Sequence, residues 1–219
     1  MIQTGRQTQS VSNKSQAVSE PSVSFWCVSV PSIFPCVVFI DHAYLKLVAN
    51  YFGMGGRYDV HRFASILSQD AGLACAHAYS YTAPPYQNSS PTEDEKRRKA
   101  GYDRFVGKLT VLPAFTVREG RCQKICGEYN QKGVDTLLVM DLTRLPQMYP
   151  NVKNAVVITS DTDFVPVLNN LREQGIRVIL YYYSDYVRNS RFSMSNHLFT
   201  ACDECRIISR RHFERSPLK

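Results

Sequence analysis

Apolar positions along this chain fall into short continuous runs separated by segments of helical spacing. Cys36-Val37-Val38-Phe39-Ile40 is apolar throughout and stops at Asp41. A run without alternation predicts a strand covered on both faces, as in a parallel sheet. Ala155–Thr159 and Ile176–Tyr182 read the same way, and Leu73–Tyr81, Ala114–Arg118 and Cys205–Ile208 predict further strands. Helical spacing fills the gaps. Ala43, Leu45, Leu47 and Val48 precede Gly53-Met54-Gly55-Gly56, and Val60, Phe63, Ala64 and Leu67 form a face closed by Gly72. Thr92 and Glu95 make a capping-box pattern before Tyr102, Phe105, Val106 and Leu109. Val134, Leu137, Leu138, Asp141 and Leu142 share one face, and Val165–Gln174 ends at Gly175. Strands alternating with helices imply right-handed βαβ units, a mainly parallel sheet and helices on both faces.

Residues 1–33 depart from this pattern. They are rich in Ser, Gln, Asn and Thr and lack periodicity, so they read as a disordered Ser-rich tail. The domain then spans 34–209, and 210–219 reads as a basic C-terminal tail. Composition changes the picture little. With 44% hydrophobic and 21% charged residues among 219, the chain suits one globular domain and excludes collagen-like and coiled-coil classes. The net charge of +7 is compatible with a phosphate-rich partner. Seven cysteines, an odd number in a chain this long, point to a reducing cytoplasm rather than a disulfide scaffold. The apolar stretch Val23–Ile40 is broken by Pro31, Pro35 and several serines, which makes it a poor membrane span.

In doubly wound folds the chemistry lies outside the carboxyl ends of the strands. Two such exits here are acidic. The first strand delivers Asp41, and Ala155–Thr159 delivers Ser160-Asp161-Thr162-Asp163-Phe164. Open clusters of carboxylates suit Mg²⁺ or Mn²⁺, which remove the mutual repulsion of the acids. Asp163 also suits helix capping with Pro166 in the first turn, but capping does not explain a second acidic exit at Asp41. Lys132-Gly133-Val134-Asp135 adds a tight turn with an acid in the following first turn. Asp141 shares the face of Leu138 and Leu142, which suits a supporting hydrogen-bond role. A dehalogenase-type phosphatase needs Asp-x-Asp after the first strand, and Asp41-His42-Ala43 fails that test.

Phe39-Ile40-Asp41, Lys132-Gly133-Val134-Asp135 with Asp141 two turns on, and Thr159-Ser160-Asp161-Thr162-Asp163-Phe164 together resemble the NYN domain, the LabA-like branch of the PIN-like nucleases. Tyr81-x-Ala83-Pro84-Pro85-Tyr86, Leu112-Pro113, Val117-Arg118-x-Gly120-Arg121 and Ala201-Cys202-Asp203 are similar too. The resemblance runs from about Val37 to Ile208. It implies a three-layer α/β PIN-like fold and a divalent-metal ribonuclease centre using Mg²⁺ or Mn²⁺. Its catalytic and metal-binding acids would be Asp41, Asp135, Asp161 and Asp163. Lys132, Ser160, Arg188 and Arg191 would contact RNA, with Asp141 and Tyr44 supporting the acids. The expected partner is single-stranded or loop RNA, with no membrane, and a homodimer stays open. The sequence departs from the family where Gly and Asn after the first aspartate are replaced by His42 and Tyr44. A catalytically weak RNA-binding module of the same fold is the rival, and a DNA-directed nuclease a further one.

Three other features carry weaker signals. Cys122-x-x-x-Cys126 and Cys202-x-x-Cys205 have spacings compatible with zinc, although free thiols are the simpler reading. Tyr181-Tyr182-Tyr183 with Tyr186, flanked by arginines, and the basic segment after Ile208 suit single-stranded nucleic acid. Lys96-Arg97-Arg98-Lys99 follows Glu93-Asp94-Glu95, the pattern of an exposed, self-paired helix face.

Overall fold

The computed structural model describes Met1 and residues 34–125, 127–187 and 190–218. The expected N-terminal tail, Cys126, Arg188 and Lys219 lie outside the described residues. Strand β1 (Phe34–Asp41) leads into helices α1 (His42–Tyr51) and α2 (Val60–Asp70), then β2 (Leu73–Thr82), α3 (Glu93–Thr110) and β3 (Phe115–Glu119). A hairpin of β4 (Arg121–Ile125) and β5 (Glu128–Lys132) precedes α4 (Val134–Met148) and β6 (Asn154–Ile158). A 3-10 turn (Thr162–Phe164), α5 (Val165–Glu173), β7 (Arg177–Tyr182), α6 (Asn196–Thr200), β8 (Glu204–Ile207) and α7 (Arg210–Glu214) complete the chain.

Six strands form one parallel sheet in the order β3-β2-β1-β6-β7-β8, and β4 and β5 pair separately and antiparallel. The apolar run in β1 is explained by this position. Cys36, Val38 and Ile40 face a core that contains α1, α2 and α7, while Val37 and Phe39 face a second core under α4, α5 and α6. Helix α3 joins the first layer through Leu109 and Phe105. The chain winds outward from β1 through β2 to β3, then crosses to the other face and winds outward again from β6. The strand order therefore reverses between β1 and β6, the place where open α/β sheets hold their ligands.

Local chemistry starts the helices where the sequence predicts. The Thr92 hydroxyl accepts from the Glu95 amide and the Glu95 carboxylate accepts from the Thr92 amide, which completes the capping box. Gly133, with φ of 79°, supplies the left-handed turn that opens α4.

Three elements differ from the sequence reading. The β4–β5 hairpin was not predicted. Its strands are mostly exposed, so no apolar alternation marks them. Helix α6 was also not predicted, because five residues are too few to show a period. The basic segment after Ile208 contains α7 rather than a free tail. Phe213 packs against Phe63 and Tyr58 with ring centroids 4.6 and 4.9 Å apart, and Tyr58 bridges to Pro217. A single aromatic among arginines gives too weak a period to reveal this anchor.

Candidate functional site

Asp41 ends β1 and caps α1. Its Oδ1 accepts from the Tyr44 amide at 3.1 Å, and its Oδ2 lies 3.5 Å from the Thr159 hydroxyl. Burial pushes its carboxyl up to about 6; the Tyr44 amide opposes that shift, and the charges of Asp135 and Asp161 add to it. Thr159, fully buried just after β6, also accepts from the Asp161 amide at 3.1 Å. One hydroxyl therefore ties the exits of the two central strands together.

Asp161 caps the 3-10 turn, its Oδ1 accepting from the Asp163 amide at 2.9 Å. That capping role was expected of Asp163, which instead sits exposed in the turn itself. Asp135 occupies the first turn of α4. Desolvation, followed by the charges of Asp161 and Asp163, raises its pKa. The acids named from the sequence thus come from three chain segments, and the repulsion between them links all four. Among the described residues, no three His, Cys, Asp or Glu side chains stand as a closed metal-ligand set. The donors are nonetheless all carboxylates, with like-charge repulsion that a hard divalent cation would relieve, so the residues fit Mg²⁺ or Mn²⁺ in chemistry.

A close backbone approach positions the third segment. A Cβ on Gly120 would lie 2.5 Å from the Lys132 carbonyl oxygen and 2.8 Å from Val134 Cγ2, and the Gly120 amide donates to the Thr82 carbonyl at 2.8 Å. Only glycine lets the end of β3 lie this close to the turn before Asp135.

Lys132 is exposed at the end of β5, and Ser160 is half-buried between Thr159 and Asp161 in the segment after β6. Arg191 is exposed in the segment after β7. Tyr44 is buried, its hydroxyl accepting from the Tyr183 amide at 2.7 Å. Asp141, 1% exposed, is held by Arg118 through two bonds of 2.8 and 2.7 Å and by the Tyr81 hydroxyl at 3.0 Å. It joins α4 to β2 and β3 rather than facing the other acids.

His42 is half-buried, its ring 4.9 Å from that of Phe105 and its Nδ1 3.5 Å from the Ser80 hydroxyl. Burial, with Lys46 nearby, lowers its pKa to about 4. Cys122 lines the cavity beside α3, whereas Cys202 lies in the core under α5; Cys126 lies outside the described residues. Sequence reasoning missed Thr159, although a β-branched hydroxyl residue between an apolar run and an acid was a usable signal. It also missed the partner of Asp141, because Arg118 is distant in sequence.

Acids at the reversal point of a doubly wound parallel sheet place this protein among the PIN-like α/β domains. The NYN domain family model matches residues 35–209, and the chain belongs to that family. NYN domains are part of the PIN-like nuclease superfamily, whose members are generally ribonucleases and typically use divalent metals. The LabA-like character read from the sequence is consistent with this membership. The fold is similar to that of a protein of unknown function from Vibrio parahaemolyticus. The two share 14% identity and a TM-score of 0.51, over 85% of this chain and 97% of that one. No curated protein sequence matches the chain. Among the described residues, no helix is long and apolar enough to cross a membrane.

Proposed function

We propose that this protein is a divalent-metal-dependent ribonuclease that cleaves single-stranded or loop RNA through Asp41, Asp135, Asp161 and Asp163. The observation that carries the reading is that Asp41 and Asp161 leave the adjacent strands β1 and β6 and are joined through the Thr159 hydroxyl. A bound Mg²⁺ or Mn²⁺ would supply a water of lowered pKa and neutralise charge developing on the scissile phosphate. Asp41 is fixed for this role by the Tyr44 amide and the Thr159 hydroxyl. Asp161 is fixed by the Asp163 amide. Lys132 and the amino end of α5 would hold phosphate oxygens of the substrate.

The test is cleavage of labelled single-stranded RNA and DNA with Mg²⁺ or Mn²⁺, against EDTA and Asp161→Asn. The substitution keeps size and capping ability while removing a charge. Cleavage should fall by about 10²-fold or more, the scale set by losing one preorganised electrostatic group, with the melting temperature held or raised. Equal cleavage by both proteins would overturn the reading. RNA binding with no turnover under any condition would make the protein a binding module instead, and His42→Gly would then be the substitution to make.

A further inference from the structure

A cavity of about 960 Å³ opens next to the residues that follow β1, between α3 on one side and α1 and the start of α2 on the other. His42 and Ala43, the residues that follow Asp41, form one end, together with Thr82–Pro85 after β2. Four cations line it, Lys46, Arg98, Arg104 and Lys108, against one carboxylate, Asp59. Asp59 is occupied as the cap of α2, accepting from the Arg62 amide at 2.9 Å.

The cations of α3 divide by face. Lys96, Arg97 and Lys99 pair with Glu93, Asp94 and Asp103 at 2.8, 2.7 and 2.5 Å. Arg98, Arg104 and Lys108 turn to the cavity, and with Lys46 they make no ion pair among the described residues. The self-paired face expected from the sequence therefore holds for three of its four basic residues and fails at Arg98. Gly101 keeps the middle of the helix open, and His42, Tyr58, Tyr102 and Phe105 bring rings to the wall. Concentrated unpaired positive charge above aromatic surface is the recognition chemistry of a single nucleic-acid strand, with phosphates on the cations and bases on the rings.

We propose that this cavity binds the single-stranded RNA flanking the cleaved phosphodiester, with Lys46, Arg98, Arg104 and Lys108 contacting consecutive phosphates and leading the strand to the acids. The proposal rests on the nuclease reading for what happens at the acids, but binding is measurable without cleavage. Fluorescent oligouridine is titrated with the full chain in EDTA across about 50–200 mM salt, for wild type, Arg104→Glu/Lys108→Glu, Arg104→Gln/Lys108→Gln and Arg144→Glu. Arg144 is exposed on α4, on the other face of the sheet. Both cavity variants should bind at least about tenfold more weakly, about 1.4 kcal/mol. The Gln pair should lower the salt slope by about 1.4, since each single-strand phosphate contact contributes about 0.7. Arg144→Glu should bind like wild type. Matching melting temperatures exclude unfolding, and the neutral Gln pair serves if the reversed pair does not fold. Cavity variants that bind as wild type, or losses as large for Arg144→Glu, would overturn the proposal. Cavity-dependent binding by a protein that cleaves nothing would overturn the nuclease reading alone.

Discussion

At the end of β1 a largely buried carboxylate faces two more of its own sign, and this shapes the pH dependence of the metal-free protein. Native Asp41 keeps its proton up to about pH 6, against 3.8 for the unstrained group. Its contribution to stability is fully present below about pH 4 and is lost as pH rises through 6. His42 works in the opposite direction: with a pKa of about 4 against 6.5, its contribution is complete above 6.5 and lost as pH falls towards 4. The two offset each other between these limits. Asp41→Asn removes only the first and keeps a cap for α1. In EDTA at pH 8 it should be more stable than wild type by about 2–3 kcal/mol, the value of roughly two pKa units. The gain should shrink below pH 6, leaving a variant that weakens on acidification because the titration of His42 is no longer offset by Asp41. Urea midpoints across pH 4–8 would check this, and a variant no more stable than wild type at pH 8 would refute it.

The elements are tied together by an ion pair between the buried Asp141 and the part-exposed Arg118. Asp141 on α4 meets Arg118 on β3 and Tyr81 on β2, so breaking it loosens the helix that begins with Asp135. Asp141→Ala should cost about 1–3 kcal/mol, mainly because the buried Tyr81 hydroxyl loses its acceptor, while the part-exposed Arg118 is re-solvated. The double variant Asp141→Leu/Arg118→Met should recover much of that loss. A chemical-denaturation cycle gives both values, and additive losses would argue against the pair. The sheet strands were legible in the sequence because burial on both faces leaves continuous runs such as Val37–Ile40 and Ala155–Ile158. The α3 boundary was legible because Thr92 and Glu95 act over three residues. The β4–β5 hairpin was not, since its residues bury little, and neither was the pairing of Asp141 with Arg118, which depends on the fold bringing them together. Asp41 and Asp161 could be named because strand exits can be read from run boundaries. Their shared hydroxyl, Thr159, was marked only by its place between an apolar run and an acid, and its contact with Asp41 depends on β6 pairing with β1.

Across the whole molecule the C-terminal segment closes the first core. Phe213→Ala should cost about 3–5 kcal/mol, the usual range for emptying a buried phenylalanine site, read from the thermal or urea midpoint. A loss below 1 kcal/mol would mean that α7 is dispensable. Deletion after Ile208 is thus no simple test of nucleic-acid contact, since it also removes this anchor. The strand order has a consequence for the chain as it leaves the ribosome. β1 emerges early and can pair with β2 along one edge, but its other neighbour, β6, is translated more than 110 residues later. Until then one side of the most apolar strand has no partner, the condition in which strands pair with the wrong chain. The same delay keeps Asp41 apart from Asp161 and Asp163. If these acids are the cutting centre, a half-made chain still attached to its own messenger has no means of cutting it.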